Sequence, residues 1–331
     1  MKIKLLRTFE RQHHSYGVFL MNNESQEQQI LFLDSFYKSF GLRVQLNQTW
    51  FNWFYIQNPL GHCNNYILLD LRNNQWIGGF GFAKKSYFSN GNRVVGGLAV
   101  NGFVNPGYEG RGLYTELIAT GLEEENYLDR GAFSFPYNRN IASIKGHLKS
   151  GWQSSIRLSF LETHIDGQGK DDAQIIYTSD PGDLNKIDFE SIEIFSELNF
   201  SRNYSELSWR YLDRPDKQYK YLTMTSSEEM GYMILGNYVT KDGSERCEIA
   251  DYRFSSPEIL HRLIKKAKFV AAEGKYQNLD VLINPDSQCH VNFQAHGFKG
   301  RGDGYELLTY CRKPLVLPRD VVVNYGDFDV V

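Results

Sequence analysis

The sequence is poor in cysteine and contains no long apolar run, and each shortage argues against a class of protein. Its four cysteines are widely separated among 331 residues and show no C-x-x-C spacing: Cys63, Cys247, Cys289 and Cys311. This spacing argues against a structural zinc site or a disulfide framework and indicates reduced cytosolic thiols. No stretch reaches about 18 consecutive apolar residues, so the sequence predicts no membrane-spanning helix.

An excess of basic charge is also missing. The 36 Lys and Arg residues are outnumbered by 39 Asp and Glu residues, which gives a net charge of −3. Binding to a nucleic-acid backbone requires clustered Lys and Arg, so no nucleic-acid partner is predicted. The pair His13-His14 has no third ligand at metal spacing, so no metal cofactor is predicted. Arg7, Glu10 and Arg11 interrupt the apolar start of the chain, which predicts no secretory signal and a cytoplasmic location.

Apolar and aromatic residues, by contrast, are plentiful. A hydrophobic content of 41% is enough for a sizeable core, and 331 residues suit two domains better than one. Apolar residues at helical spacing predict a helix over 24–40 that Gly41 ends, and an aromatic cluster predicts a short helix over 50–55. Strand-like runs separated by Asn- and Gly-rich turns predict antiparallel strands at 66–71, 76–82 and 94–104.

The most informative segment is the Gly-rich stretch 104–113, V-N-P-G-Y-E-G-R-G-L, which joins a predicted strand to an amphipathic helix. Such a loop leaves backbone N–H groups at a helix N-terminus, where the helix dipole also favours a phosphate or pyrophosphate. A Rossmann fingerprint requires a third glycine where Thr115 stands, and a Walker A loop requires G-K-[ST]. Neither is therefore predicted, and a purely structural turn is the remaining alternative.

The spacing V-x-P-x-Y-x-G-x-G-L resembles the acyl-CoA pyrophosphate loop of the GCN5-related N-acetyltransferase (GNAT) superfamily. Downstream, the stretch 133–140 (F-S-F-P-Y-N-R-N) and the pair Gly151-Trp152 resemble the next strand, its asparagine and the helix end of the same superfamily. The F-P-x-N form resembles a subgroup found with surface-polysaccharide genes. Two positions depart from the pattern: Glu109 stands where Arg or Gln is usual, and Tyr114 stands where Gly or Ala is usual.

The resemblance implies an acyl-CoA-dependent N-acyltransferase that uses acetyl-CoA or another acyl-CoA as donor. The acceptor it implies is an amino sugar or a nucleotide-linked amino sugar of surface-polysaccharide biosynthesis. The implied cofactor-binding residues come from the strand end, the loop, the helix start and the later asparagine: Phe103, Val104, Glu109, Gly110, Arg111, Gly112, Leu113, Tyr114 and Asn140.

The resemblance also implies a catalytic residue, His147, four positions before Gly151. The superfamily often has a tyrosine there that protonates the leaving thiolate, and a histidine could donate a proton or a hydrogen bond instead. The alternative is a partly exposed helical histidine with no role. No acidic residue lies in 94–104 or 132–138, so the usual carboxylate base is missing. The candidates that stay open are a base acting through water and three side chains: His62, Asp327 and Asp329.

Two other functions stay open. Because a base is missing, the protein could be a non-catalytic module that holds acyl-CoA or a sugar. An aminoacyl-tRNA-dependent transferase also pairs two GNAT-like domains, although the Gly-rich loop and the acidic balance argue against it. Release of thiol on mixing with acetyl-CoA and amines separates an enzyme from a binding module.

The second half of the sequence repeats the first weakly. Trp53, Tyr55 and Pro59 recur 156 residues later as Trp209, Tyr211 and Pro215. The later segment 251–257, which corresponds to the Gly-rich loop, contains no glycine. The sequence thus predicts an α/β protein of two tandem GNAT-like domains, each a mixed, mostly antiparallel sheet flanked by helices. Domain 1–165 carries the pyrophosphate loop, domain 173–331 is degenerate and lacks it, and 166–172 links the two.

Overall fold

The computed structural model describes residues 3–41, 46–89, 91–125, 128–167, 171–179, 181–187, 192, 198–226, 229–240, 243–312 and 321–328. The strands of this part of the chain are β1 (Lys4–Arg11), β2 (His14–Leu20), β3 (Asn64–Asp70), β4 (Gln75–Ser89), β5 (Asn92–Val104), β6 (Ala132–Ser134), β7 (Gln153–Arg157), β8 (Ser159–His164), β9 (Ile176–Thr178), β10 (Leu198–Phe200), β11 (Lys220–Thr225), β12 (Met230–Val239), β13 (Glu245–Phe254), β14 (Asn278–Ile283), β15 (Lys299–Gly300) and β16 (Glu306–Tyr310).

The α-helices are α1 (Gln26–Phe40), α2 (Gln48–Phe51), α3 (Leu113–Glu124), α4 (Ile141–Lys149), α5 (Tyr204–Leu207), α6 (Pro257–Glu273) and α7 (Gln288–Ala295). A π-helical turn continues α2 at Asn52–Ile56, and another continues α5 at Ser208–Leu212. Short 3₁₀ turns lie at Leu128–Arg130, Pro181–Lys186 and Tyr325–Asp327.

Helix α1 forms where the sequence predicts it, because a capping residue stands at each end. The Ser25 side chain accepts a hydrogen bond from the Gln28 amide, and Gly41 adopts a left-handed φ of 74° that ends the helix. The predicted aromatic helix is α2 with its π-helical turn. The three predicted strands are β3, β4 and β5, although β4 continues to Ser89, beyond its predicted end at residue 82. Local sequence signals therefore located these elements but not the full length of β4.

The strands form two mixed sheets. The first has the order β1-β2-β3-β4-β5-β6-β16-β7 with β10 on β4, and the second has the order β15-β8-β14-β13-β12-β11-β9. Pairing is antiparallel throughout except between β5 and β6 and between β13 and β14, which are parallel. The predicted fold class, two mixed and mostly antiparallel sheets flanked by helices, is confirmed.

The two sheets exchange strands. Strand β8, from the first half of the chain, pairs with β14 in the second sheet. Strand β16, from the second half, lies between β6 and β7 in the first sheet. Each sheet therefore contains a strand from the other half of the chain. The division into domains 1–165 and 173–331 stays a prediction, because the two units share strands.

The weak sequence repeat has a symmetric counterpart in the structure. The rings of Trp53 and Trp209 stack with their centroids 5.2 Å apart. The Trp53 Nε1 donates to the Trp209 carbonyl oxygen at 2.7 Å, and the Trp209 Nε1 donates to the Trp53 carbonyl oxygen at 2.9 Å. Because each residue lies in the π-helical turn of its own half, equivalent elements of the two halves meet at this contact.

Candidate active site

A bulge in strand β5 opens the first sheet. Gly79 pairs with Phe103 and Gly81 pairs with Val100, so Asn101 and Gly102 together face a single residue of β4. Asn101 has a φ of 49°, which is the backbone conformation that turns the strand at such a bulge. Before the bulge, β5 pairs with β6 only through Gly97 and Leu98. The two parallel strands then separate and leave a gap between them.

A cavity of about 220 Å³, here called the gap cavity, occupies this separation. One part of its wall is apolar: Phe36, Phe40, Phe80, Ala99, Val100, Gly102, Phe135 and Pro136. The polar side chains in the wall are Asn101, Tyr114, Ser134, Ser143, His147 and Tyr305. An apolar cavity with a few converging polar groups is the usual form of a small-molecule site.

The structure places His147 in the wall of the gap cavity, with a side chain that is only 2% exposed. Its Nδ1 lies 2.9 Å from the Ser143 carbonyl oxygen and its Nε2 lies 3.0 Å from the Ser134 hydroxyl. A carbonyl oxygen only accepts, so the proton lies on Nδ1 and Nε2 accepts from Ser134. Burial lowers the pKa of His147 to about 4, although the hydrogen bond to Ser143 opposes the shift. The ring is therefore neutral at pH 7.

A second cavity, of about 370 Å³ and here called the loop cavity, lies beside the Gly-rich loop. Eight of the nine predicted cofactor-binding residues are in its wall: Phe103, Val104, Glu109, Gly110, Gly112, Leu113, Tyr114 and Asn140. Phe40, Gly102, Tyr114 and Ser143 belong to the walls of both cavities. The loop cavity and the gap cavity therefore adjoin each other along the end of β5.

The Gly-rich loop has the backbone that an anion cradle requires. Gly110 and Gly112 have φ values of 73° and 74°, and a Cβ on Gly110 would meet no atom within 4 Å. Gly112 is the N-cap of α3 and has no side chain to cap the amides of the first helical turn. These amides lie at the positive end of the helix dipole, which suits a phosphate group.

Glu109, the first departure from the superfamily pattern, is exposed and bonded within the loop. Its carboxylate accepts a hydrogen bond of 2.6 Å from the Gly107 amide. The loop therefore carries a fixed negative charge in the wall of the cavity that would hold a pyrophosphate. A carboxylate and a pyrophosphate carry like charges and repel each other, and salt screens the repulsion.

Arg111 lies outside the walls of both cavities. One of its guanidinium nitrogens donates to the Gly107 carbonyl oxygen at 2.7 Å and another donates to the Tyr16 hydroxyl at 3.1 Å. The guanidinium also lies over the Tyr108 ring, 5.2 Å from its centroid. These contacts brace the loop against β2, so its predicted contact with the cofactor stays a prediction.

Tyr114, the second departure, lies between strand β5 and helix α4. A Cβ added to Gly146 would stand 2.5 Å from the Tyr114 ring, and one added to Gly102 would overlap its hydroxyl end. The tyrosine is accommodated because both flanking positions are glycines. The ring therefore lies at the boundary where the two cavities adjoin.

Asn140 has a structural role in addition to its place in the loop cavity. Its side chain accepts a hydrogen bond of 3.2 Å from the Ser143 amide and so caps helix α4. The cap fixes the start of the helix that carries both Ser143 and His147.

The structure gives the candidate bases different surroundings. His62 is exposed and belongs to neither cavity wall. Asp327 is 0% exposed and forms ion pairs with Arg202 at 2.6 Å and Lys85 at 3.3 Å. Burial alone would raise its pKa, but the two cations lower the pKa to about 2. Asp329 lies outside the described residues. The general base thus stays unassigned.

Sequence reasoning missed three residues of the site. Ser134 ends β6 and contacts His147, a pairing that only the fold creates. Lys145 and Lys149 are in the wall of the loop cavity and are exposed. Their spacing of four positions puts both on one face of α4, and this signal was present in the sequence. They place cationic charge beside the proposed pyrophosphate cradle.

The corresponding positions of the second sheet carry aromatic side chains. Gly231 pairs with Phe254 on β13 as Gly78 pairs with Val104 on β5, so Tyr252 corresponds to Gly102. Phe293 on α7 precedes Gly297 by four residues, as His147 on α4 precedes Gly151. The rings of Tyr252 and Phe293 are 5.5 Å apart and both are fully buried. Two packed aromatic rings therefore stand at the positions that line the cavities in the first sheet.

Among the helices of the described residues, none combines the length and apolar character that crossing a membrane requires. Within the same ranges, no three His, Cys, Asp or Glu side chains are grouped in a way that could hold a metal ion.

Comparison with solved structures identifies the fold. The chain resembles a GCN5-related N-acetyltransferase from Anabaena variabilis with a TM-score of 0.63 and 16% identity over 88% of this chain and 72% of that one. It resembles a probable N-acyltransferase from Enterococcus faecalis V583 with a TM-score of 0.60 and 12% identity over 89% and 72%. It also resembles Saccharomyces cerevisiae N-myristoyltransferase with bound myristoyl-CoA, with a TM-score of 0.60 and 9% identity over 89% and 78%.

The chain therefore has the GNAT fold, as the Gly-rich loop and its surroundings predicted. No family model matches the sequence, and no curated protein matches it.

Proposed function

We propose that this protein is an acyl-CoA-dependent N-acyltransferase that binds its acyl donor in the first sheet. The observation that carries the proposal is the pair of adjoining cavities at the end of β5. The loop cavity offers glycines and the first turn of α3 to a pyrophosphate. The gap cavity offers an apolar wall and a few polar groups to the pantetheine thioester and its acyl group. Solved structures with the same fold include acyltransferases, one of them with bound myristoyl-CoA.

The reaction requires stabilisation of a tetrahedral oxyanion on the thioester carbon. A backbone N–H at the bulge of Asn101 and Gly102 is suited to this, because a bulge leaves a strand amide without its ladder partner. The leaving thiolate then requires a proton, and His147 stands in the wall of the same cavity. Because Nε2 of the neutral ring carries no proton, His147 would relay to the sulfur a proton that it first takes up. No carboxylate belongs to this wall among the described residues, so the acceptor amine loses its proton to water or enters as the free base.

We further propose that the acceptor is an amine on an amino sugar, either free or linked to a nucleotide. The support is the F-P-x-N sequence at 135–138, which resembles the subgroup found with surface-polysaccharide genes. Phe135 and Pro136 of this sequence are in the wall of the gap cavity. The acceptor is an expectation separate from the acyl donor, and the experiment below tests the two separately.

The test mixes the protein with acetyl-CoA, octanoyl-CoA or myristoyl-CoA and follows CoA thiol release with a thiol reagent. Free amino sugars, nucleotide-linked amino sugars and short peptides with free N-termini serve as acceptors. We expect release that depends on one acyl-CoA and on an amino sugar. Release with peptides alone would revise the acceptor. If the protein binds CoA but none of these amines promotes thiol release, the protein is a binding module and not an enzyme.

A further inference from the structure

Ser134 and His147 form a hydrogen-bonded pair, and the proposed reaction gives no role to Ser134. The Ser134 hydroxyl lies 3.0 Å from His147 Nε2, and His147 Nδ1 is held 2.9 Å from the Ser143 carbonyl oxygen. A hydroxyl, an imidazole that accepts its proton and a third group that orients the imidazole are the elements of an activated nucleophile. All three residues belong to the wall of the gap cavity.

The pair is rigidly held. Ser134 is 4% exposed and pairs with Leu308 of the exchanged strand β16. The His147 ring packs edge to face on Trp152, 5.0 Å between centroids, and on Tyr114 at 5.7 Å. Ser134 thus stands in the cavity wall at a strand end, and the imidazole that its hydroxyl contacts is held by a helix carbonyl and two aromatic rings.

We propose that Ser134 is an acyl-accepting nucleophile, so that the acyl group passes from CoA to the Ser134 hydroxyl before it reaches the amine. This inference rests on the proposed function for its acyl donor. It adds a covalent ester intermediate on this chain and a second product-forming route, in which water replaces the amine and acyl-CoA is hydrolysed.

In the first step the Ser134 Oγ attacks the thioester carbonyl carbon while His147 Nε2 takes the hydroxyl proton. The C–S bond breaks, and the CoA thiolate takes that proton from Nε2, which leaves a serine ester and free CoA thiol. Because a thiol holds its proton with a pKa near 8.5, the transfer from a buried imidazolium to sulfur is downhill. His147 therefore protonates the thiolate with a proton that came from Ser134.

In the second step the amine nitrogen attacks the ester carbonyl carbon. The C–O bond to Ser134 breaks, and the serine oxygen recovers a proton from the nitrogen through His147 Nε2. The products are an amide and the free Ser134 hydroxyl, so no oxidant or further reactant is required.

The test incubates the full-length protein with acetyl-CoA, octanoyl-CoA or myristoyl-CoA without amine, quenches in acid and measures peptide masses. p-Nitrophenyl acetate serves as a second donor that needs no pyrophosphate cradle. We expect an acyl ester on the peptide that contains Ser134, and a burst of about one equivalent of thiol or nitrophenolate. Ser134→Ala should abolish the ester and slow amine-dependent transfer by at least ~100-fold.

Ser155→Ala is the matched control. Its hydroxyl lies 2.8 Å from the Thr309 hydroxyl on neighbouring strands of the same sheet, and it belongs to neither cavity wall. This variant should keep both the ester and the transfer rate. Circular dichroism and CoA calorimetry on Ser134→Ala show whether the variant folds and still binds the donor.

The inference and the proposed function fail in different ways. If the wild type binds CoA and transfers acyl groups, but forms no ester and Ser134→Ala keeps its rate, the amine attacks the thioester directly and the inference is overturned. If the wild type binds no CoA and releases no thiol with any donor, the proposed function is overturned. If only p-nitrophenyl acetate forms the ester, Ser134 is a nucleophile but acyl-CoA is not its acyl donor.

Discussion

At the scale of the residue, the site is defined by side chains that the fold keeps in particular states. His147 is neutral because it is buried, and its tautomer follows from the Ser143 carbonyl. The Glu109 carboxylate accepts a hydrogen bond from the Gly107 amide within the loop, in the wall of the cavity that we propose holds the pyrophosphate. Both residues were predicted from position, but burial and hydrogen bonding, which determine their chemistry, depend on the fold.

Changing Glu109 to Gln should strengthen CoA binding. Gln keeps an acceptor for the Gly107 amide and removes the negative charge from the cavity wall. We expect a gain of about twofold to tenfold at low salt, up to about 1.4 kcal/mol, which shrinks at high salt through screening. Calorimetry at two salt concentrations measures it. Glu123→Gln, at a surface ion pair with Arg7, is the control that should leave affinity unchanged. Equal affinity of Glu109→Gln and wild type at low salt would contradict the placement.

Burial of His147 should make the protein sensitive to acid. In the unfolded chain the imidazole takes a proton near pH 6.5, whereas in the folded chain it does so at about pH 4. The unfolded state therefore binds more protons across this window, and stability falls as pH falls from about 6.5 to 4. This single group accounts for a loss of roughly 2 kcal/mol between pH 7.5 and pH 4.5.

Urea unfolding of wild type and His147→Gln at pH 7.5 and pH 4.5 measures this loss. The variant starts less stable, but its stability should fall less on acidification, because the other titrating groups are common to both proteins. An equal fall in both proteins would mean that His147 is not buried as described.

At the scale of the element, local sequence signals predicted several helices and strands, but the sequence did not reveal which distant strands pair with each other. The sequence located helix α1 and strands β3 to β5, because each has a local signal: helical spacing of apolar residues ended by Gly41 for α1, and strand-like runs between Asn- and Gly-rich turns for the strands. The exchange of β8 and β16 left no such mark, because either strand could complete either sheet on its pattern alone. The bulge at Asn101 was equally hidden, since it depends on the register between β4 and β5.

The Tyr114 ring of α3 packs against Gly146 of α4 and Gly102 of β5, so a methyl group at Gly146 should destabilise the fold. Gly146→Ala alone should cost about 1–3 kcal/mol, because its methyl group would overlap the Tyr114 ring. In a Tyr114→Ala background the same change should cost much less, and the two changes should show a coupling energy in unfolding measurements. Gly300→Ala, which meets no atom within 4 Å, should be additive with Tyr114→Ala. If the effects of Gly146→Ala and Tyr114→Ala on the free energy of unfolding were additive, this would contradict the packing of the Tyr114 ring on Gly146.

At the scale of the whole molecule, the two halves depend on each other, and the gap and loop cavities lie in the first sheet. Strand β16 separates β6 from β7 and pairs with Ser134, so the second half holds part of the site in the first sheet. The reciprocal hydrogen bonds of Trp53 and Trp209 join equivalent turns of the two halves. The second half therefore has a structural role at the site even though two aromatic rings stand at the corresponding positions of its own sheet.

A fragment of residues 1–165 should neither unfold cooperatively nor bind CoA, although it retains every predicted cofactor-binding residue. The physical reason is the missing β16, which leaves β6 and β7 without their common partner. Adding the fragment 166–331 should restore both properties. Chemical unfolding and calorimetry on the fragments, separately and together, measure this, and tight CoA binding by 1–165 alone would contradict the mutual dependence.

The most direct test of the account is the stoichiometry and location of CoA binding by the full-length protein. Calorimetry should give one equivalent of CoA, and Gly112→Asn should weaken it at least tenfold, about 1.4 kcal/mol. Asn tolerates the left-handed backbone of Gly112 while adding a side chain where the phosphates approach. Gly243→Asn, at a left-handed turn of the second half with open space around it, should bind as wild type. Two equivalents per chain, or equal affinity of wild type and Gly112→Asn, would contradict a single acyl-CoA site at the Gly-rich loop.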